Sequence, residues 1–140
     1  MRIVLILMLM VSIANADILP VKNSDPKQYD SLTKQEVAWM YAMKTRFWED
    51  GTRIIVYYQS RDSDTHKRFC KIVLGIDPSR FDTMLDSYLN TGNASYFRQA
   101  KNEQDVYNKV SLVPGAIGYL DDKTMLINGG YDVRKIIIAD

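Results

Sequence analysis

The chain has 140 residues, 46% of them hydrophobic and 25% charged, with 18 basic against 17 acidic side chains. Those proportions describe one ordinary globular domain and exclude disorder, collagen-like repeats and a multidomain enzyme. The balanced charge removes the electrostatic case for nucleic acid or an anionic membrane surface as partner, and one Cys with one His leaves neither a disulfide framework nor a Cys/His zinc site.

Met1-Arg2 gives a positive start, Ile3 to Val11 is an unbroken apolar run, and Ala14-Asn15-Ala16 supplies a small-x-small cleavage pattern. Nine helical residues rise only about 14 Å against a hydrocarbon core of roughly 30 Å, which argues against a membrane span. Residues 1–16 therefore read as a signal peptide that directs the chain to the periplasm, with no membrane span after cleavage. Residues 17–140 form the expected single domain, of about 124 residues, enough for one core.

Asp17 to Tyr29 carries Pro20 and Pro26 and reads as an extended lead-in with one short strand. Thr33 and Glu36 form a capping box. Val37, Met40, Tyr41 and Phe47-Trp48 follow at helical spacing, which predicts a helix of three to four turns. Asp50-Gly51 is a turn. Arg53 to Tyr58, centred on Ile54-Ile55-Val56, predicts a strand covered on both faces.

Ser63 or Asp64 caps a second helix with an apolar stripe of Phe69, Cys70, Val73 and Leu74, and Gly75 ends it. Asp77-Pro78 restarts a helix in which Phe81, Met84, Leu85, Tyr88 and Leu89 recur at helical spacing. A shorter helix over Glu103 to Val110 leads to Pro114-Gly115 and a buried strand over Ala116 to Leu120. Two more short strands are predicted near Thr124 to Ile127 and Val133 to Ile138, flanking Asn128-Gly129-Gly130. Strands separated by helices predict an α/β or α+β domain with a small mixed sheet flanked by helices.

The chemistry is sparse. Ser63 and His66 lie three apart with Asp62 and Asp64 beside them, but a hydrolytic triad needs a buried orienting carboxylate and an oxyanion hole. A solvent-facing His66 in a first helical turn is the favoured reading. Asp62-Ser63-Asp64 opens like a calcium loop but lacks the glycine and bidentate Glu. Asp121-Asp122 reads as a solvated turn and Cys70 as a buried, inert thiol. The sequence thus predicts no catalytic residue, no metal and no cofactor.

One junction offers more. The strand ending at Tyr58 runs through Gln59-Ser60-Arg61-Asp62-Ser63-Asp64-Thr65 directly into a helix. Ligands of open α/β sheets settle beyond the carboxyl ends of strands, and helix starts carry free N–H groups suited to an oxyanion. Ser63, Thr65 and nearby amides could hold phosphate, sulfate or carboxylate; an ordinary capped strand-to-helix loop accounts for the same residues.

From Leu32 to Asp121 the sequence resembles the substrate-binding proteins of phosphate ABC transporters. The likeness rests on Leu32-Thr33-Lys34-Gln35-Glu36-Val37, on the turn Trp48-Glu49-Asp50-Gly51 with the strand Ile54 to Tyr58 after it, on Phe69 to Gly75, and on Val113-Pro114-Gly115-Ala116-Ile117-Gly118-Tyr119. The resemblance implies one lobe of a type II periplasmic solute-binding protein, where the family encloses its ligand between two lobes. It also implies ligand-binding positions at Gln59, Arg61, Ser63, Asp64 and Thr65. Gln59 stands where the family has a phosphate-binding Arg, and Ser63-Asp64-Thr65 stands for its Ser-Gly-Thr. A neutral residue for a guanidinium and a carboxylate for a glycine both weaken the grip on phosphate, with Arg61 a partial compensation. The implied function is a secreted, non-catalytic domain that binds phosphate or another small oxyanion weakly or as a homodimer. Its rival is a degenerate lobe that serves as an interaction module for a periplasmic protein partner.

Overall fold

The computed structural model describes residues 18–27, 29–129 and 132–139; the signal-peptide reading of residues 1–16 lies outside them. In chain order the elements are β1 (Ile18–Asn23), β2 (Ser31–Leu32), α1 (Lys34–Tyr41), β3 (Ile55–Tyr58), and α2 (Asp64–Phe69), which continues as a π-helical turn over Cys70–Leu74. There follow α3 (Pro78–Asn90), β4 (Phe97–Gln99), α4 (Glu103–Leu112), β5 (Ala116–Asp121), α5 (Asp122–Asn128), β6 (Val133–Lys135) and β7 (Ile137–Ile138). Among the described residues, no helix is long and apolar enough to cross a membrane.

The main sheet has five strands in the order β4-β3-β5-β1-β6, and β2 pairs with β7 in a small parallel ladder. β3 runs parallel to both β4 and β5, whereas β1 lies antiparallel between β5 and β6. This is the mixed sheet flanked by helices that the alternation of strands and helices predicts. The polar lead-in proves to be an interior strand. Lys22 can sit there because its buried ammonium donates to the carbonyls of Asn23 and Pro26 and lies 3.8 Å from Asp30.

Alternation along the strands divides the core. Val56, Tyr58, Ile117 and Tyr119 face the side covered by α1, α2 and α3; Ile55, Tyr57, Ala116 and Leu120 face the side covered by α4. Gly118 lets α4 approach, since a Cβ there would lie 3.0 Å from a Val106 methyl and 3.2 Å from one of Val110. Gly115 has φ 81°, and a Cβ would lie 2.3 Å from the Arg53 carbonyl oxygen. Its own carbonyl accepts the Trp48 indole N–H at 2.9 Å, which ties the Trp-Glu-Asp-Gly turn to the Pro-Gly-Ala segment.

The predicted caps are in place. Thr33 and Glu36 exchange their capping-box bonds, Ser63 caps α2, Asp77 caps α3, and Gly75 closes the π-helical turn at φ 67°.

Four expectations fail, each for a structural reason. α1 stops at Tyr41, because Lys44, Thr45 and Arg46 offer no apolar side chain to extend the stripe; the N–H groups of Lys44 and Thr45 fold back on the Trp39 carbonyl, and Phe47 bridges to Arg53. Thr124 to Ile127 is helical, not a strand: Asp121 ends β5 and caps α5 by accepting the Thr124 N–H at 2.8 Å, so it is no mere solvated turn. Leu126 and Ile127, which suggested a strand, are 80% and 82% exposed. His66 is 0% exposed rather than solvent-facing, because its helical position turns it under the sheet end, against Tyr119 and Phe81.

Candidate functional site

The parallel strands β3, β4 and β5 send their carboxyl ends to one edge of the sheet, and each runs into a helix there. Three caps line that edge: Ser63 for α2, Asn102 for α4 and Asp121 for α5, accepting from the N–H groups of His66 (3.2 Å), Asp105 (2.9 Å) and Thr124 (2.8 Å). This is the location at which open α/β sheets place ligands.

Gln59 stands at the centre and is only 3% exposed. Its backbone N–H donates to the Tyr119 hydroxyl at 2.8 Å, its side-chain amide donates to the Tyr119 carbonyl at 2.9 Å, and its Oε1 accepts the Ser63 hydroxyl at 2.7 Å. A buried amide with its partners supplied is stable where an unpaired guanidinium would not be.

Glu103, the first residue of α4, meets this group from the other side. Its Oε2 accepts the Asp121 N–H at 3.0 Å. Burial pushes the Glu103 carboxyl above its ordinary value, while hydrogen bonding from Thr65, Asp121 and Gln59 pulls the other way and the Asp121 charge adds to the rise.

Gln59 and Ser63, with Ser60, Lys101, Asn102 and Glu103, line a cleft of about 270 Å³. Of the five residues singled out in the sequence, Gln59 and Ser63 therefore meet in this cleft, and Thr65, in the first turn of α2, is not among its lining residues. Arg61 does not join them: it lines a neighbouring cleft of about 120 Å³ and lies 3.8 Å from Asp82. Asp64 is exposed at the start of α2.

Sequence reasoning missed Lys101, Asn102 and Glu103. Asn102, three residues before Asp105, is a readable helix-start signal. Nothing local, however, announces that this start abuts Gln59, because the short edge strand β4 delivers it.

No triad is assembled. The His66 ring contacts the Tyr119 hydroxyl through Nδ1 and the Cys70 sulfur through Nε2 at 3.6 Å, while the Ser63 hydroxyl is bonded to Gln59. Burial holds His66 below its usual value, against an opposing pull from Asp82, and pushes the Cys70 thiol up to about 12. Among the described residues no group of three His, Cys, Asp or Glu side chains could hold a metal ion.

No protein-family profile matches the sequence, and no curated protein matches it. Solved structures do. A protein assigned as a phosphate ABC transporter substrate-binding protein from Clostridium perfringens, with bound phosphate, aligns at TM-score 0.60 and 17% identity over 86% of this chain and 53% of its own. An ABC-type phosphate transport receptor from Vibrio cholerae aligns at 0.65 and 14%, and PstS from Borrelia burgdorferi at 0.62 and 15%, each over 89% of this chain and 48% of its own. The chain spans about half the length of the solved structures it matches. What it shares with those phosphate-transport binding proteins is their α/β fold, built here at about half their length.

Proposed function

We propose that this chain is a secreted, periplasmic, non-catalytic binding-protein lobe whose strand-end cleft takes a small oxyanion weakly, from one side. The observation that carries the reading is the meeting of Gln59 and Ser63 with Lys101 in one cleft at the carboxyl ends of parallel strands. The phosphate bound to the Clostridium perfringens protein of the same fold supports oxyanion as the ligand class. A cleft open on one side leaves part of the anion hydrated, so a second copy that covers it would raise affinity.

Titration calorimetry of the chain with phosphate, sulfate and acetate near neutral pH tests this: dissociation constants of roughly millimolar order are expected. Flat heats for every anion, with the protein folded, would overturn it.

A second reading, an interaction module for an envelope protein, is favoured by one observation: the Ser63 hydroxyl and the Gln59 amide already bond within the chain. Flat heats would leave that reading standing.

A further inference from the structure

We infer that the strand-end cleft is a carboxylate seat, and that Glu103 is the resident anion an external carboxylate must displace. The inference rests on the oxyanion reading above and names its ligand class and its competitor.

Glu103 lies at the first position of α4, where the Cα–Cβ bond tilts back toward the helix start and so toward the strand ends. An acid at that position ordinarily complements its own helix. Here that work is already done: Asn102 accepts the Asp105 N–H at 2.9 Å, and Asp105 accepts the Lys101 N–H at 2.8 Å. Glu103 instead reaches across to another junction, accepting the Asp121 N–H at the end of β5 at 3.0 Å in the cleft that it lines with Gln59 and Ser63. Gln59 lines the same cleft and has a second amide N–H beyond the one that donates to the Tyr119 carbonyl.

The donor set suits a planar, singly charged, two-oxygen anion. The Asp121 N–H and the Gln59 amide are neutral donors, which satisfy a carboxylate without a guanidinium fork, and Lys101 is the single cationic residue lining the cleft, so a phosphate dianion should bind less well than a carboxylate. The Asp121 carboxylate, which caps α5 by accepting the Thr124 N–H, is near enough to push the Glu103 carboxyl up and so disfavours additional negative charge. An incoming carboxylate therefore fits only when Glu103 leaves. The same chemistry is offered by a small free acid and by the terminal carboxylate of a peptide.

The test compares the wild-type chain with Glu103→Ala and Glu103→Asp, using acetate, phosphate, and triglycine with a free or an amidated terminus. Glu103→Ala should bind acetate at least about tenfold more tightly than the wild type. Its melting temperature should rise in about 50 mM acetate, but not in chloride of equal ionic strength. Glu103→Asp, one methylene shorter, keeps a charge in place and should gain less, and it serves if the Ala variant fails to fold. Binding of free but not amidated triglycine would extend the seat to peptide termini; binding of acetate alone would restrict it to small acids. Equal acetate affinity in wild type and variants would overturn the resident-anion inference and leave the weak oxyanion site intact. Preference of Glu103→Ala for phosphate over acetate would overturn the carboxylate assignment. No binding by any form would overturn both readings.

Discussion

Glu103 and Cys70 show how burial sets the behaviour of single residues in this domain. The Glu103 carboxyl is held above its unfolded value of 4.5, chiefly by burial, so between those two values the folded chain binds more protons than the unfolded one. Its contribution to stability is therefore greatest at low pH and declines as pH rises from 4.5 through the folded value. Glu103→Gln should flatten that decline, which urea midpoints measured across the window would register; an unchanged slope would contradict the burial argument. Cys70 is fully buried, and its thiol is pushed up to about 12, so the native protein should resist a thiol reagent that labels it at once in denaturant. The burial of Cys70 is legible in the helical stripe. That of His66 is not, because the residue that covers it, Tyr119, lies 53 positions away along the chain.

At the scale of elements, caps and stripes read correctly wherever the signal is local. Thr33 with Glu36, Ser63, and Asp77-Pro78 each satisfy orphan N–H groups within one turn, and each helix start stands where those residues predict it. Errors come where apolar character is not a guide to burial. Leu126 and Ile127 resemble a strand and are exposed on a short helix. β4, three residues at the sheet edge, leaves too little pattern to detect, and with it goes the junction that positions Glu103. The Pro-Gly-Ala-Ile-Gly-Tyr segment has a physical reason at each landmark: a positive φ at Gly115, helix contact at Gly118, and a hydroxyl at Tyr119 that accepts from Gln59. Gly118→Val would push α4 away from β5 and should cost about 1–3 kcal/mol in urea unfolding. An unchanged midpoint would show that α4 can withdraw freely.

For the whole molecule, α1, α2 and α3 pack on one face of the sheet and α4 on the other, the layering that alternation of strands and helices leads one to expect. The resemblance noticed in the sequence is matched by shared architecture at low identity, over about half of each relative's length. The strand order could not be read from the residues, since β1 carries Pro20 and Lys22, and its interior place depends on partners about a hundred or more residues on.

That place has a mechanical consequence. β1 comes first among the described elements yet lies fourth across the sheet, with ladders to β5 and β6 on its two sides. Tension applied at the amino end would shear both ladders together, whereas tension at the carboxyl end would first part the two-residue ladder of β7 with β2 and then the three-residue ladder of β6 with β1. A tether on the amino side would thus load two ladders at once, and one on the carboxyl side two short ladders in turn.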